Sequence, residues 1–385
     1  MVEALARRTA HLADALIHVP RYPFIPRQAW AAGTPAGAGS GATRGRWIDR
    51  DADPEVWWRA VSSDAAIYTQ LDDGESPLTA ENAAKTFAPT CSASSPSLVA
   101  AFLRRLGPGQ GDRILEIGTG TGWTAGLLSY VTGDQKNVTT VEVDAALAAV
   151  AERNLRSVGM APRLVVGDGT AGIPDPAATF DGVHVTCGVR DIPYRWVEQT
   201  RPGGVIVLPH APATRLLRLT VGENGTASGS FHEVCSFMLL RAQRRPVSRL
   251  KRTEPRTRKL RTAPDPLLHA HTEPGLEVLL GDLVGDIPFA TGSSGSGSGS
   301  GSGDAGLLSS GTSLATVEAG RVTQTGPRDL WDEAEEVYRG WKERGSPGLD
   351  RIGFTVTRSR QYVWLDDPTV SAAQTMGFTK GSEHG

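Results

Sequence analysis

The nine residues LEIGTGTGW at positions 115–123 decide the fold. They run from an apolar stretch, through three glycines on alternate positions, into the apolar run TAGLLSYV at 124–131. An apolar run closed by glycine has the pattern of a strand buried on both faces of a parallel sheet. Gly118, Gly120 and Gly122, set between strand and helix, let the backbone approach a ligand and place a helix N-terminus beneath it. Outward from this point, NVTTVEVD (137–144), RLVVGDG (163–169), FDGVHVTCGV (180–189) and GVIVLP (204–209) are predicted strands. SLVAAFLRRL (97–106), AALAAVAERNLRSVG (145–159) and YRWVEQT (194–200) are predicted helices. This alternation predicts an α/β fold with a Rossmann-like, doubly wound sheet. RLLRLTVGENGTASGSFHEVCSFMLLR (215–241) is a predicted hairpin turning at GENG, which puts antiparallel strands at the sheet edge.

Composition narrows the function. The chain has 385 residues, with 40 Lys+Arg against 42 Asp+Glu and a net charge of -2. That balance excludes a nucleic-acid binder driven by global charge. No apolar run approaches the roughly 18–20 residues that span a bilayer, so no membrane partner is expected. The first residues, MVEALARRTAHLADALIHVP, carry charges throughout and lack the apolar core of a signal peptide. Cys91, Cys187 and Cys235 are sparse and form no CxxC pair, so neither a disulfide framework nor a metal site is expected, and a cytoplasmic location fits.

Three segments are expected. Residues 1–60 form an N-terminal helical segment and loop, with Leu5, Leu12, Leu16 and Ile17 on one helical face and Pro20, Pro23 and Pro26 ending it. Residues 31–45 are a Gly-rich loop, and 53–70 should pack on the core. Residues 61–240 hold the Rossmann-like domain. Residues 241–385 form a smaller appended lobe. It opens with ten basic residues between Arg241 and Arg261, opposed only by Glu254. This strip is expected near the pocket rim, because it starts where the last predicted strand ends. The GSSGSGSGSGSG tract at 292–303 cannot bury surface. DLWDEAEEVYRGWKERG (329–345) is a predicted amphipathic helix whose tryptophans belong to a core, and GFTVT with QYVWLDDP forms a final hairpin.

The ends of three successive predicted strands define one nucleoside site. Glu142 lies 20 residues after Gly122 and can accept bonds from both ribose hydroxyls. Asp168, with Gly169 in GDG, sits where an adenine amino group is expected. Glu116 and Thr119 complete the set at the glycine loop, Glu116 being expected near the methionine ammonium. NAD is the competing ligand, but GxGxG lacks the GxGxxG turn shaped for pyrophosphate, and S-adenosylmethionine is preferred. His184 is expected to be packed in the core. His210 is assigned more to the core than to the site, and Cys187 to a small buried role.

These motifs resemble the protein-L-isoaspartate O-methyltransferase family. VPRYPFIP (19–26), SSPSLVAAFLRRL (94–106), LEIGTGTGW, VEVD, GDG and the run from Phe180 to Pro209 follow that family's order over about residues 14–240. The resemblance implies that Ser94 is the active-site serine of the S-x-P context, Glu142 the ribose acid and Asp168 the adenine-side residue. Ser97 stands where the family usually has His, and Trp123 where Tyr is usual. The long C-terminal part and GPRDLW resemble a longer branch that accompanies ribosomally made modified peptides such as lanthipeptides and graspetides. That branch implies methyl-esterification of an aspartate in a modified precursor peptide, the ester then closing to a succinimide (aspartimide). Repair of isoaspartyl protein, and a non-catalytic cofactor-binding module, are the alternatives. A carboxylate with a pKa near 4 is already nucleophilic at neutral pH, which agrees with finding no acid–base constellation. Placement is expected to do most of the work.

Overall fold

The computed structural model of the chain describes residues 12–33, 45–85, 88–175, 177–244, 255–259, 267, 272–285, 306–318 and 320–379. Residues 12–18 are helical, and Leu12, Ala15 and Val19 are buried. The buried face therefore follows i, i+3, i+7 spacing. Ile17, predicted to share it, is 74% exposed because it falls well off that stripe. Leu5, the Gly-rich stretch 34–44, the tract 292–303 and strip residues 245–254, 260 and 261 lie outside the described residues.

The predicted N-terminal helix and loop, residues 1–60, prove to contain two strands of a sheet that the first part of the predicted Rossmann-like segment completes. Strands β1 (Gln28–Ala31), β2 (Arg46–Asp49), β3 (Ile67–Leu71) and β4 (Pro89–Ala93) pair antiparallel in the order β2-β1-β3-β4. Helix α1 (Pro54–Val61) covers it, burying Trp57 as the sequence led one to expect of this segment.

The main sheet carries β5 (Ile114–Ile117), β6 (Val138–Glu142), β7 (Arg163–Val166), β8 (Phe180–Val185), β9 (Thr200–His210), β10 (Arg215–Val221) and β11 (Ala227–Val234). Parallel pairing joins β7 to β6, β6 to β5, β5 to β8 and β8 to β9. The hairpin β10–β11 then adds antiparallel strands, as predicted. Helix α2 (Pro96–Leu106) leads from β4 into β5, and helices α3 (Trp123–Val131) and α4 (Ala145–Ser157) make the crossovers from β5 to β6 and from β6 to β7. Asp144 caps α4 by accepting from the amides of Ala146 and Leu147. Chain order reverses around β5, so a crevice opens at the carboxyl ends of β5 and its neighbours.

The boundary at 241 differs from the expectation. Strands β12 (Arg256–Lys259), β13 (Gly306–Ser310), β14 (Ser313–Glu318) and β15 (Arg321–Thr325) do form their own antiparallel sheet. The predicted final hairpin, β16 (Ile352–Val356) and β17 (Gln361–Leu365), instead extends the main sheet from β11. The order is therefore β17-β16-β11-β10-β9-β8-β5-β6-β7. All five residues of β16 are buried, a pattern that requires cover on both faces. One hydrophobic cluster joins Ile117, Val185 and Leu217 to Leu280 of α5 (Pro274–Leu283), to Trp331 and Trp341 of α6 (Leu330–Glu343), and to Phe354. Arg215 on β10 pairs with Glu277 on α5 at 2.5 Å. The C-terminal part is thus built into the main core rather than appended to it.

His210 sits in this junction, 1% exposed, with ring centroids 5.4 Å from Phe231 and 4.8 Å from Phe354. It belongs to the core. The Ala213 amide donates to its Nδ1 at 3.3 Å. Burial pushes its pKa down to about 3. Between that value and the ordinary 6.5, the unfolded chain binds a proton that the folded chain refuses. Stability is therefore lost as pH falls through this window. We expect the thermal midpoint to drop between pH 6.5 and 4, and His210→Phe to flatten that slope; equal slopes in calorimetric scans would refute the assignment.

Candidate active site

A cavity of about 360 Å³ lies at the carboxyl edge of the main sheet, with β4 and its following turn as the opposite wall. It gathers Ser94, Gly118, Thr119, Gly120, Glu142, Asp168 and Gly169 from the predicted set. Gly118, Gly120 and Gly122 have φ of +93°, +56° and +97°, the left-handed region that favours glycine. A Cβ on Gly118 would collide with the Thr186 hydroxyl, which donates to the Gly118 carbonyl. Gly122 stands outside the cavity wall as the N-cap of α3, where a Cβ would press on Leu155 and the Ala151 carbonyl at 3.2–3.3 Å. Its role is close packing of the loop on α4.

Glu142 ends β6 and is 6% exposed. One carboxylate oxygen accepts from Gly120 N at 2.9 Å and the other from Asp144 N at 3.1 Å. Each oxygen retains acceptor capacity, so a vicinal diol has two partners here. Burial raises the Glu142 pKa, opposed by these two amides and by the charge of Arg241. Asp168 accepts from Thr170 N at 3.0 Å and caps the turn after β7. The Gly169 carbonyl accepts from the Trp196 indole at 2.8 Å.

Glu116 lies elsewhere than expected. Its carboxylate is wholly buried behind the loop and does not line the cavity. Thr140 Oγ1 donates to it at 2.6 Å. With that hydrogen committed, Thr119 donates across the 2.6 Å Thr119–Thr140 contact. Glu116 thus reaches the cavity only through two hydroxyls. His184, 2% exposed, stands 3.8 Å from the other Glu116 oxygen and edge-on to Phe102, a core position as read from the sequence.

Ser94 follows β4 and lines the cavity. Neither it nor Ser95 caps α2, because the carboxylate of Asp64 accepts from Ser97 N at 2.8 Å. The Ser94 hydroxyl is therefore left for the cavity. Burial pushes the thiols of Cys91 and Cys187, both in the wall, up to about 12, which keeps them protonated and poor nucleophiles.

Sequence reasoning placed the start of the basic strip near the rim but missed the acidic partners that hold it there. Arg241 and Arg244, the first residues of the basic strip, line the cavity, so the strip does begin at its rim. Both pair with Asp73, at 2.9 Å and 2.7 Å, and Arg241 also reaches Asp144 at 3.4 Å. Asp73 sits in left-handed backbone with φ +51°. Two aspartates before glycine, as in LDDG, mark such a turn, but nothing local names its distant partners.

The fold and the site together define a Rossmann-like methyltransferase, and the residues fit S-adenosylmethionine. Residues 78–244 match the family described as Protein-L-isoaspartate(D-aspartate) O-methyltransferase (PCMT). A protein-L-isoaspartate O-methyltransferase of Methylorubrum populi is 37% identical over 151 residues, covering 38% of this chain and 69% of that protein. The chain belongs to the protein-L-isoaspartate O-methyltransferase family. A Thermotoga maritima relative of the same name is 37% identical over 144 residues, 37% of this chain and 41% of its own length, so the match spans less than two thirds of that protein. A solved structure titled protein-L-isoaspartate O-methyltransferase shares the fold with a TM-score of 0.50 at 20% identity, over 95% of this chain and 99% of that one.

Glu142→Gln removes a charged acceptor while keeping the shape. We expect S-adenosylhomocysteine to bind about tenfold or more weakly, since a hydrogen bond to a charged group contributes roughly 1.5–3 kcal/mol. Unchanged affinity by titration calorimetry would remove Glu142 from the cofactor site.

Proposed function

We propose that this protein methyl-esterifies the α-carboxylate of isoaspartyl residues in proteins and peptides, with S-adenosylmethionine as methyl donor. Family membership carries this reading. It is supported by the presence of Ser94, the glycine loop and Glu142 in one cavity.

When bound, S-adenosylmethionine supplies a methyl group activated by its sulfonium. Glu142 and the Gly118–Gly122 loop are the residues to hold its nucleoside, with Asp168 and Gly169 on the adenine side. The Ser94 hydroxyl donates to the acceptor carboxylate or its backbone and sets its orientation. The acceptor is ionised at neutral pH, so no residue has to remove a proton. The thiols of Cys91 and Cys187, kept protonated by burial, do not compete as methyl acceptors. The resulting ester closes to a succinimide when the next backbone nitrogen attacks its carbonyl and methanol leaves.

Tailoring of a modified precursor peptide rested chiefly on the C-terminal length. That length no longer separates the two readings, because a solved isoaspartate methyltransferase shares the fold over 95% of this chain. The extension also belongs to the main core. The repair reading is therefore the better supported.

The test is mass spectrometry of matched peptides. We expect a gain of one methyl on an isoaspartyl peptide, none on its normal aspartyl isomer, and a fall in kcat/KM for Ser94→Ala. Turnover of a macrocyclic aspartyl peptide with no turnover of the isoaspartyl one would overturn the proposal in favour of tailoring.

A further inference from the structure

Arg21 lies in the VPRYPFIP segment, distant from the cavity in sequence terms, and was given no role by its motif. It is 7% exposed. Its Nη2 donates to the carbonyls of Ala65, Ala93 and Ser94 at 2.8, 2.7 and 2.8 Å. Its Nη1 reaches the carbonyls of Val61 and Ser63 at 3.3 and 3.5 Å. Among the described residues no carboxylate is within ion-pair distance of the guanidinium. Burial lowers its pKa to about 10, partly restored by the charge of Asp64.

A buried cation facing only carbonyls is costly unless those carbonyls need it. Here they do. Five carbonyl dipoles from two separate segments, 61–65 and 93–94, converge on one point and would repel one another without the cation. The planar fork of arginine suits this task, whereas a lysine ammonium cannot span the set. The segment 61–65 is then used a second time. Asp64 reaches across to Ser97 N at 2.8 Å, fixing the start of α2. The turn from Ser94 to Ser97 is thus gripped at both ends. The guanidinium also lies 5.5 Å from the ring of Trp123, a cavity residue whose indole donates to Val19 O at 3.0 Å.

We infer that Arg21 is a positioning residue for methyl transfer, holding the Ser94 turn at the cavity wall through its carbonyl cluster, with Asp64 as the second half of the clamp. The inference rests on the reading of Ser94 as part of the acceptor site.

A double-mutant cycle of Arg21→Lys and Ser94→Ala tests it. Kinetics use an isoaspartyl peptide, S-adenosylhomocysteine affinity is measured by calorimetry, and far-UV circular dichroism verifies folding. We expect Arg21→Lys to lower kcat/KM about tenfold or more, as misplacement by a fraction of an ångström does. Affinity for S-adenosylhomocysteine should stay within about twofold. In the Ser94→Ala background the same change should cost less than about twofold, because the group it positions is gone. An equal cost in both backgrounds, or a parallel loss of S-adenosylhomocysteine affinity, would overturn the positioning role while leaving the Ser94 reading intact. If Ser94→Ala alone has no effect, the Ser94 reading fails and this inference with it. Should Arg21→Lys not fold, Asp64→Ala, which removes the acceptor for Ser97 N, carries the same cycle from the other half of the clamp, with the same pattern expected.

Discussion

The backbone reversal from Gly118 to Gly122 is the constraint on which the site depends. Three left-handed glycines within five residues turn β5 sharply enough to start α3 under the cavity. They also aim the Gly120 amide at Glu142. The loop is held from below as well. Glu116 pairs with Thr140 in the β5–β6 register, and Thr140 and Glu142, two residues apart, point to the same face. Two neighbouring strands thereby supply two carboxylates with separate tasks. The wholly buried one braces the loop through hydroxyls, and the one at the wall faces the cavity.

Charge at the rim is arranged around that second carboxylate. Asp73 and Asp144 occupy Arg241, while Arg244 is held by Asp73 and by the Leu239 carbonyl. These pairs are about a third exposed on the arginine side, so each contributes modestly to stability. Their larger effect is geometric. They tie the β3–β4 turn to the segment after β11, which is itself stitched to Gly188 by two backbone bonds. The Gln243 side-chain carbonyl accepts from Arg190 N at 2.7 Å and adds a third tie. The cavity mouth is thus framed by two chain segments more than 160 residues apart.

The parallel core was legible because its strands are short apolar runs closed by glycine or acid, and its helices are amphipathic. Both signals are local. Ser94, Gly118, Thr119, Gly120, Glu142, Asp168 and Gly169 were found for the same reason: each sits at a strand end or in the turn that follows. The N-terminal sheet was not legible, since its strands have four or five residues and mixed polarity, as in QAWA and RWID. The hairpin of β16 and β17 was visible as a hairpin, but its place was not. That depends on pairings such as Ser228 with Thr355, across more than 120 residues. Glu116 was misplaced because a strand's alternation does not reveal which face a loop will cover. Arg21 left no signal at all, because its partners are backbone carbonyls 40 to 73 residues away, which any sequence can provide.

The placement of β16 also bears on where selectivity resides. An exposed β11 would present a row of unpaired amides and carbonyls, which proteins avoid at a sheet edge. β16 pairs with that row, and its Phe354 packs with Phe231 and the neutral His210. The hairpin's first service is therefore to complete the sheet that carries the site, a task set by the fold and indifferent to the substrate. Discrimination between acceptors must come from groups that face the cavity. Those are the Ser94 turn, the apolar Met238–Leu240 segment and the two rim arginines, whose fields fall on any incoming carboxylate. A change of substrate within this architecture is thus expected to track substitutions at the rim, with the C-terminal core left as it stands.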